Sequence, residues 1–316
     1  MRDLFVTILV NNFNYGRFLR SAIDSALAQT YKHREVVVVD DGSTDESRDV
    51  IASYGGAIRS VFKSNGGQAS AFNAGFISSK GDYICLLDAD DYRTPNKVER
   101  VVQSIGQSEN CSAICHRVQP VNEDGKPIKS LRPRSLHRGD IASQVRAAGG
   151  CWPHPPTSGM CFSRRFLDQV LPMPEAGHRT CADLYLATLA PLMGSVERCD
   201  HALAMYRIHG QNAWATPMAE SASQLLAHDL HRLEANLEAV NLKLRQLGLP
   251  GIDPAKNLPR QLLRYRLGQA VSYSQLMLRA LSWPGESLAV RAKMLWSNRH
   301  RVERSTENLP AKGVTS

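Results

Sequence analysis

Three short apolar runs, each ending in amides or acids, constrain the fold of this chain more than any other feature. Phe5 to Val10 leads into Asn11-Asn12, and the β-branched run Glu35-Val36-Val37-Val38-Val39 leads into Asp40-Asp41-Gly42. Tyr83-Ile84-Cys85-Leu86-Leu87 leads into Asp88-Ala89-Asp90-Asp91. A continuous β-branched run suits a strand buried on both faces of a parallel sheet. Between the runs, Phe18, Leu19, Ala22, Ile23, Ala26 and Leu27 repeat at helical spacing. So do Ala69, Phe72, Phe76 and Ile77, stopped by Lys80-Gly81. Ser43 with Glu46 predicts a capping box opening another helix, Ile58 to Phe62 a further strand, and Thr94-Pro95 the start of a helix to about Ile105. Alternating strands and helices predict an α/β fold with a helix-covered parallel sheet, whose ligands collect at the carboxyl ends of the strands. Three strands would therefore deliver polar or acidic side chains to one edge.

The rest of the chain is less regular. A Pro- and Arg-rich stretch runs from Pro120 to Arg138, and from about Ala219 the sequence turns helical. Leu226, Leu230, Leu233, Leu237, Val240, Leu244 and Leu247 form a seam ending at Gly248 and Pro250. It reads either as a helix packed on its own domain or as a homodimer coiled coil through 226–247. A second helix is expected near Pro259 and a third after Trp283-Pro284-Gly285.

Charge narrows the partners. The formal net charge is +8, but residues 255–316 hold 11 Lys/Arg against 3 Asp/Glu, while residues 1–254 hold 27 of each sign. A neutral sheet region without a basic stripe argues against nucleic acid. The basic excess belongs to a helical tail in which Arg260, Arg264, Arg266, Arg279, Arg291, Lys293, Arg299, Arg301 and Arg304 alternate with apolar residues including Trp283 and Trp296. Two readings stay open there: a basic amphipathic surface for an anionic membrane through 255–316, and a solvated basic face. There is no run of 18 apolar residues, and the first residues read as a strand rather than a signal peptide. Seven cysteines without a CxxC pair suit reduced thiols in the cytoplasm, and Cys111, Cys115 and His116 lack a fourth zinc ligand at usual spacing.

Asp88 and Asp90, one residue apart after a strand, can coordinate a hard divalent cation, although a turn capping the next helix explains them as well. Asp40 and Asp41 can accept hydrogen bonds from a base or ribose, or simply cap a helix. Gly66-Gly67 can bring the backbone close to a phosphate or form a plain turn. Neither acidic cluster has EF-hand spacing, and no GxGxxG follows the first strand.

In order, Val6 to Asn14, Phe18 to Tyr31, Val36 to Asp45, Asn65 to Gly75 and Gly81 to Asp91 resemble the family 2 glycosyltransferases, over roughly residues 4–215. The resemblance implies a GT-A fold: a Rossmann-like nucleotide-binding half of about 1–110, an acceptor half of about 111–215, and here a helical basic region at 216–316. It implies an inverting, metal-dependent enzyme using Mg2+ or Mn2+. By the same likeness, Asn11, Asn12, Phe13, Asp41, Asp40 as the lesser neighbour, Asn65, Gly67 and Asp88 would contact the nucleotide sugar. Asp88 and Asp90 match the DxD motif, with Asp90 the main metal ligand. Tyr206-Arg207-Ile208-His209-Gly210-Gln211-Asn212 resembles the YRxHGxN segment and makes His209 a metal or diphosphate contact, or a structural histidine. Asp183, in Cys181-Ala182-Asp183, stands where the family commonly has Glu-Asp and would be the catalytic base. Asn11-Asn12 departs from the family's frequent Pro-Thr.

The expected reaction is transfer from a nucleotide-diphosphate sugar to a saccharide or lipid-linked saccharide, in cell-surface polysaccharide or glycolipid synthesis. The expected place is the cytoplasm, peripheral on the inner face of the membrane. A sugar nucleotidyltransferase and a non-catalytic nucleotide-binding pseudo-transferase are the alternatives.

Overall fold

The computed structural model describes residues 4–105, 110–210, 212, 221–269 and 271–300. In chain order, the first half comprises β1 (Val6–Asn12), α1 (Gly16–Leu27), β2 (Arg34–Asp40), α2 (Ser47–Ala52), β3 (Arg59–Phe62), α3 (Gln68–Ser78), β4 (Tyr83–Asp88), β5 (Tyr92–Arg93) and α4 (Lys97–Ser104). Then come β6 (Cys111–Val121), α5 (Ala142–Ala147), β7 (Met160–Ser163), α6 (Arg164–Val170), α7 (Asp183–Met193) and β8 (Ser195–Arg207). The C-terminal helices are α8 (Ala222–Gln246), α9 (Leu258–Arg266), α10 (Tyr273–Ser282) and α11 (Leu288–Ser297).

Among the described residues the strands form one sheet in the order β3-β2-β1-β4-β7-β6-β8-β5. The expected parallel arrangement holds for β3-β2-β1-β4, the Rossmann-like half. Beyond β4 the sheet is mixed: β7 runs antiparallel to both β4 and β6, β6 parallel to β8, and β5 antiparallel to β8. Strand alternation builds two cores from the same strands. Val6, Ile8, Val10, Val36, Val38, Cys85 and Leu87 face α1, α2 and α4. Leu9, Val37, Val39, Ile84 and Leu86 face α3, α6, α7 and α8.

The structure bears on three expectations here. Ser43 and Glu46 do not form a capping box: α2 starts at Ser47 with no side-chain bond from Glu46. Ser43 Oγ instead accepts from Asn12 Nδ2 and the Asn14 amide, and Asp45 takes the capping role. Its two oxygens accept from the Gly16 amide at 2.8 Å and the Ser47 amide at 3.0 Å, at the starts of α1 and α2. Secondly, the leucine seam packs within its own chain, with Leu226, Leu230, Leu237, Val240 and Leu244 buried and Leu233 packed on the core. Of the two readings of the seam, this is the helix packed on its own domain. Thirdly, the helix near Pro259 is two: α9 ends at a positive-φ Gly268, and α10 follows. The expected domain boundary at 215/216, the helical start near Ala219, Gln211, Arg301 and Arg304 lie outside the described residues.

Candidate active site

A cleft of about 790 Å3 opens at the carboxyl ends of β1, β2 and β4. Its walls include Asn11, Phe13, Asp41, Asn65, Gly67, Gln68, Asp88, Asp90, Thr157, Arg179, Asp183 and Tyr206. The parallel strands place the first of these, because β1 pairs with β2 through Asn12 and Asp40 and with β4 through Asn11 and Asp88. Successive side chains of a strand point to opposite faces, so Asn11 and Asn12 cannot both reach the cleft.

That alternation corrects two expected nucleotide contacts. Asn12 and Asp40 are fully buried and do not line the cleft. Asn12 Nδ2 donates to Asp40 Oδ1 at 2.9 Å, and Asp40 Oδ2 accepts from the Ser43 amide at 3.2 Å and Arg48 Nε at 3.4 Å. The pair joins β1 to the turn after β2. Asp41 is the carboxylate on the cleft side. Its Oδ1 accepts from Lys63 Nζ at 2.6 Å and the Gly66 amide at 3.0 Å, and its Oδ2 from the Gly67 amide at 2.7 Å and Asn65 Nδ2 at 3.2 Å. Four donors on one carboxylate fix the Asn65-Gly66-Gly67 loop at the cleft wall. Gly67 has φ +88°, and a Cβ there would stand 2.6 Å from Arg179 Cα, so both its conformation and its space require glycine.

Asp88, Asp90 and Asp91 each offer an oxygen within 4.8 Å of the others, and this is the one such group of acids, histidines or cysteines among the described residues. The three differ in what they already hold. Asp91 Oδ2 accepts from Ser158 Oγ at 2.6 Å and Oδ1 from the Arg207 amide at 2.8 Å, so Asp91 fastens β8 and the 157–159 turn. Asp90 Oδ2 accepts from Asn212 Nδ2 at 3.1 Å and lies 3.2 Å from His209 Nε2. His209 is buried behind Asp90, its ring 4.8 Å from that of Phe18, and it does not line the cleft. Burial pushes the Asp88 carboxyl well above the usual carboxylate range, and the neighbouring Asp90 and Asp183 add to it. Hydrogen bonds from Thr157 and Gln68 pull the other way. Crowded hard oxygen donors with mutual repulsion suit a divalent cation, which relieves that repulsion. Asp88 and Asp90 fit as its holders; Asp91, with both oxygens engaged, does not.

Asp183 opens α7 on the same cleft. Thr157 Oγ1 donates to its Oδ2 at 3.1 Å. The segment before α7 is docked on the start of α3: the Gln68 amide donates to Arg179 O at 2.9 Å and the Ala69 amide to His178 O at 3.2 Å. Gln68 then bridges the site, its Oε1 accepting from the Ala182 amide at 2.8 Å and its Nε2 reaching Asp88 Oδ1 at a long 3.5 Å. The structure thus gathers Asn11, Phe13, Asp41, Asn65, Gly67, Asp88, Asp90 and Asp183, with His209 one shell behind. Sequence reasoning missed Gln68, Thr157 and Arg179 as site residues. Gln68 lies inside the quoted Asn65 to Gly75 segment, and Thr157 opens Thr157-Ser158-Gly159, which resembles the family's approach to the acceptor site, whereas Arg179 is marked by nothing in its neighbours.

The family model described as Glycosyl transferase family 2 matches residues 7–171. The Uncharacterized glycosyltransferase alr2836 of Nostoc sp. is 33% identical over 304 residues, 92% of each chain. The chondroitin synthase of Pasteurella multocida is 37% identical over 126 residues, 39% of this chain and 13% of that protein. Among solved structures, S. aureus TarS 1-349 in complex with UDP-GlcNAc aligns with a TM-score of 0.57 at 15% identity, covering 93% of this chain and 89% of that one. Mannosyltransferase PcManGT from Pyrobaculum calidifontis, in complex with GDP-Man and Mn2+, aligns with a TM-score of 0.52 at 16% identity, covering 94% and 86%. At those identities the two structures establish a shared fold.

Proposed function

Because the chain belongs to glycosyl transferase family 2, we propose that it moves a sugar from a nucleotide-diphosphate donor to an acceptor hydroxyl with inversion at the anomeric carbon. The acceptor is a saccharide or lipid-linked saccharide, in cell-surface polysaccharide or glycolipid synthesis. The observation that carries this reading is the placement of Asp183 on the same cleft wall system as Asp88 and Asp90.

Asp183 takes the proton of the acceptor hydroxyl, whose oxygen attacks the anomeric carbon from the face opposite the diphosphate. The bond to the diphosphate breaks, and the nucleoside diphosphate leaves. Asn11, Phe13, Asp41, Asn65 and Gly67 form the wall for the donor nucleotide, with Asp88 at its ribose end. Asp88 and Asp90 would hold Mg2+ or Mn2+, and His209 belongs to this metal side through its contact with Asp90. When bound, the cation supplies charge neutralisation for the departing diphosphate. The donor complexes of TarS and PcManGT, and the Mn2+ of the latter, support the donor class and the cofactor.

A panel of UDP- and GDP-sugars with Mn2+ tests the reading. Release of nucleoside diphosphate with any donor supports it. Pyrophosphate release from a nucleoside triphosphate would instead make the chain a nucleotidyltransferase, and binding of donors without turnover would make it a pseudo-transferase.

A further inference from the structure

We propose that the α10–α11 hairpin is a docking face for an anionic lipid surface. Ten large hydrophobic side chains stand exposed among the described residues, and five lie on these two helices. They are Met277 (50% exposed), Leu278 (68%), Leu281 (70%), Leu288 (64%) and Trp296 (66%). The other five, Phe13, Phe62, Ile77, Ile128 and Leu242, are scattered over separate elements, and single exposed apolar residues need no explanation.

The outer apolar residues are not needed to fold the hairpin. Its inner side already buries Leu276, Ala280 and Trp283 against Leu258 and Leu262 of α9. Both helices are capped, α10 by a Ser272–Gln275 capping box and α11 by Ser287. They run antiparallel: Tyr273 Oη donates to Leu295 O at 2.9 Å, while Arg291 Nη1 donates to Ala280 O at 2.7 Å and Leu281 O at 2.9 Å. On α10 the exposed leucines sit one turn apart with Met277 alongside, and on α11 Leu288, Ala292 and Trp296 follow at four-residue spacing on one side. Both helices of this hairpin therefore carry exposed apolar side chains that its own core does not use.

Charge selects the occupant. Residues 271–300 contain Arg279, Arg291, Lys293 and Arg299 against Glu286 alone. The Arg299 guanidinium lies 4.0 Å over the Trp296 ring, joining a cation to the largest exposed aromatic. Leucines and a tryptophan beside cations suit the boundary between anionic headgroups and acyl chains. A second copy would instead bring like charges together. No described helix is long and apolar enough to cross a membrane, so this face would lie on the surface. Val290 and Met294 of α11 also wall a cavity of about 210 Å3 shared with Leu184, the neighbour of Asp183. The lipid-facing hairpin is thus part of the structure beside the proposed base. The inference extends the transferase reading to where the acceptor is met. Vesicle binding is measured without donor or acceptor, so it fails or succeeds independently of that reading.

Flotation of the full chain with phosphatidylcholine vesicles, with and without phosphatidylglycerol, tests it. Binding is expected only to the anionic vesicles and should fall steeply with added salt. Leu278→Glu with Leu281→Glu should lower partitioning at least about tenfold, with an unchanged unfolding temperature. A blue shift of tryptophan fluorescence on binding should disappear in Trp296→Phe. Failure of the folded protein to bind anionic vesicles, or undiminished binding by the double variant, overturns the proposal. So does a concentration-dependent dimer that the double variant abolishes, which would assign the face to a second copy.

Discussion

Thr157 Oγ1 donates to Asp183 Oδ2 at 3.1 Å, so the carboxylate proposed as base is aimed by a hydroxyl from another part of the chain. The neighbouring Ser158 Oγ accepts from the Asp88 amide at 3.1 Å. The 157–159 turn therefore holds the proposed base in register with the proposed donor-side carboxylate.

Asp183→Asn should lower kcat by at least about a hundredfold with little change in donor KM, the pattern of a lost general base. Thr157→Val should lower kcat by roughly tenfold, and Thr157→Ser should restore it, because serine keeps the hydroxyl. Steady-state kinetics with saturating donor decides both, and equal loss in the serine and valine variants would remove Thr157 from the positioning role.

Adjacent aspartates should part in their effects. Asp90→Ala should abolish metal-dependent donor binding by calorimetry at temperatures where the variant is folded. Asp91→Ala should destabilise the fold by about 3 kcal/mol, since it leaves the Ser158 hydroxyl proton and the Arg207 amide without an acceptor inside the protein. Donor affinity of the folded Asp91 variant, measured at low temperature, should change far less than that of Asp90→Ala.

Gly67→Ala probes the seam between the Asn65-Gly66-Gly67 loop and the segment before α7. The added Cβ meets the Arg179 backbone at 2.6 Å in a conformation with φ +88°. A loss of stability of about 2 kcal/mol is expected. Because Arg179 O and Ala182 N are held to Gln68, kcat should fall in addition, and a variant that loses stability alone would argue against coupling through this seam.

Acid should erase the contribution of Asp45. Partial burial raises its pKa, but the hydrogen bonds from Ser47 and Gly16 outweigh that and hold it below the ordinary aspartate range. A depressed carboxyl stabilises the fold above the unfolded value of about 4 and loses that contribution as pH falls through the folded value. Asp45→Asn should cost about 1 kcal/mol at neutral pH, a small figure because the group is largely solvated. Urea titrations should show the gap between variant and wild type closing below about pH 4.

The parallel half was readable because each of its strands is a short, nearly pure apolar run flanked by periodic helices. β6 and β8 were not, for a physical reason: they pair with register shifts around Cys111, His116 and Arg117, and β6 contains Pro120. Bulges break the two-residue alternation on which strand reading depends. At the site, the order of the strand ends marked Asn11, Asp41, Asp88 and Asp90. What separated Asp41 from Asp40 and Asp90 from Asp91 was side-chain direction, and adjacent identical residues carry no sign of it. Ser43 looked like a cap because its spacing to Glu46 was right. The turn aims it at Asn12 and Asn14 instead.

The docking of α3 against the chain before α7 bears on how the enzyme chooses substrates. Two backbone bonds from Gln68 and Ala69, the Gln68–Ala182 bond, and the reciprocal Asn73–Met173 pair all cross between the parallel half and the later half. A jaw-like closure between the halves would have to break these together. Selection among donors and acceptors then falls to rearrangements smaller than a hinge, in side chains and loops at the cleft rim. Exchanging rim residues between relatives should transfer substrate preference without disturbing the frame that holds Asp88 and Asp183 in register.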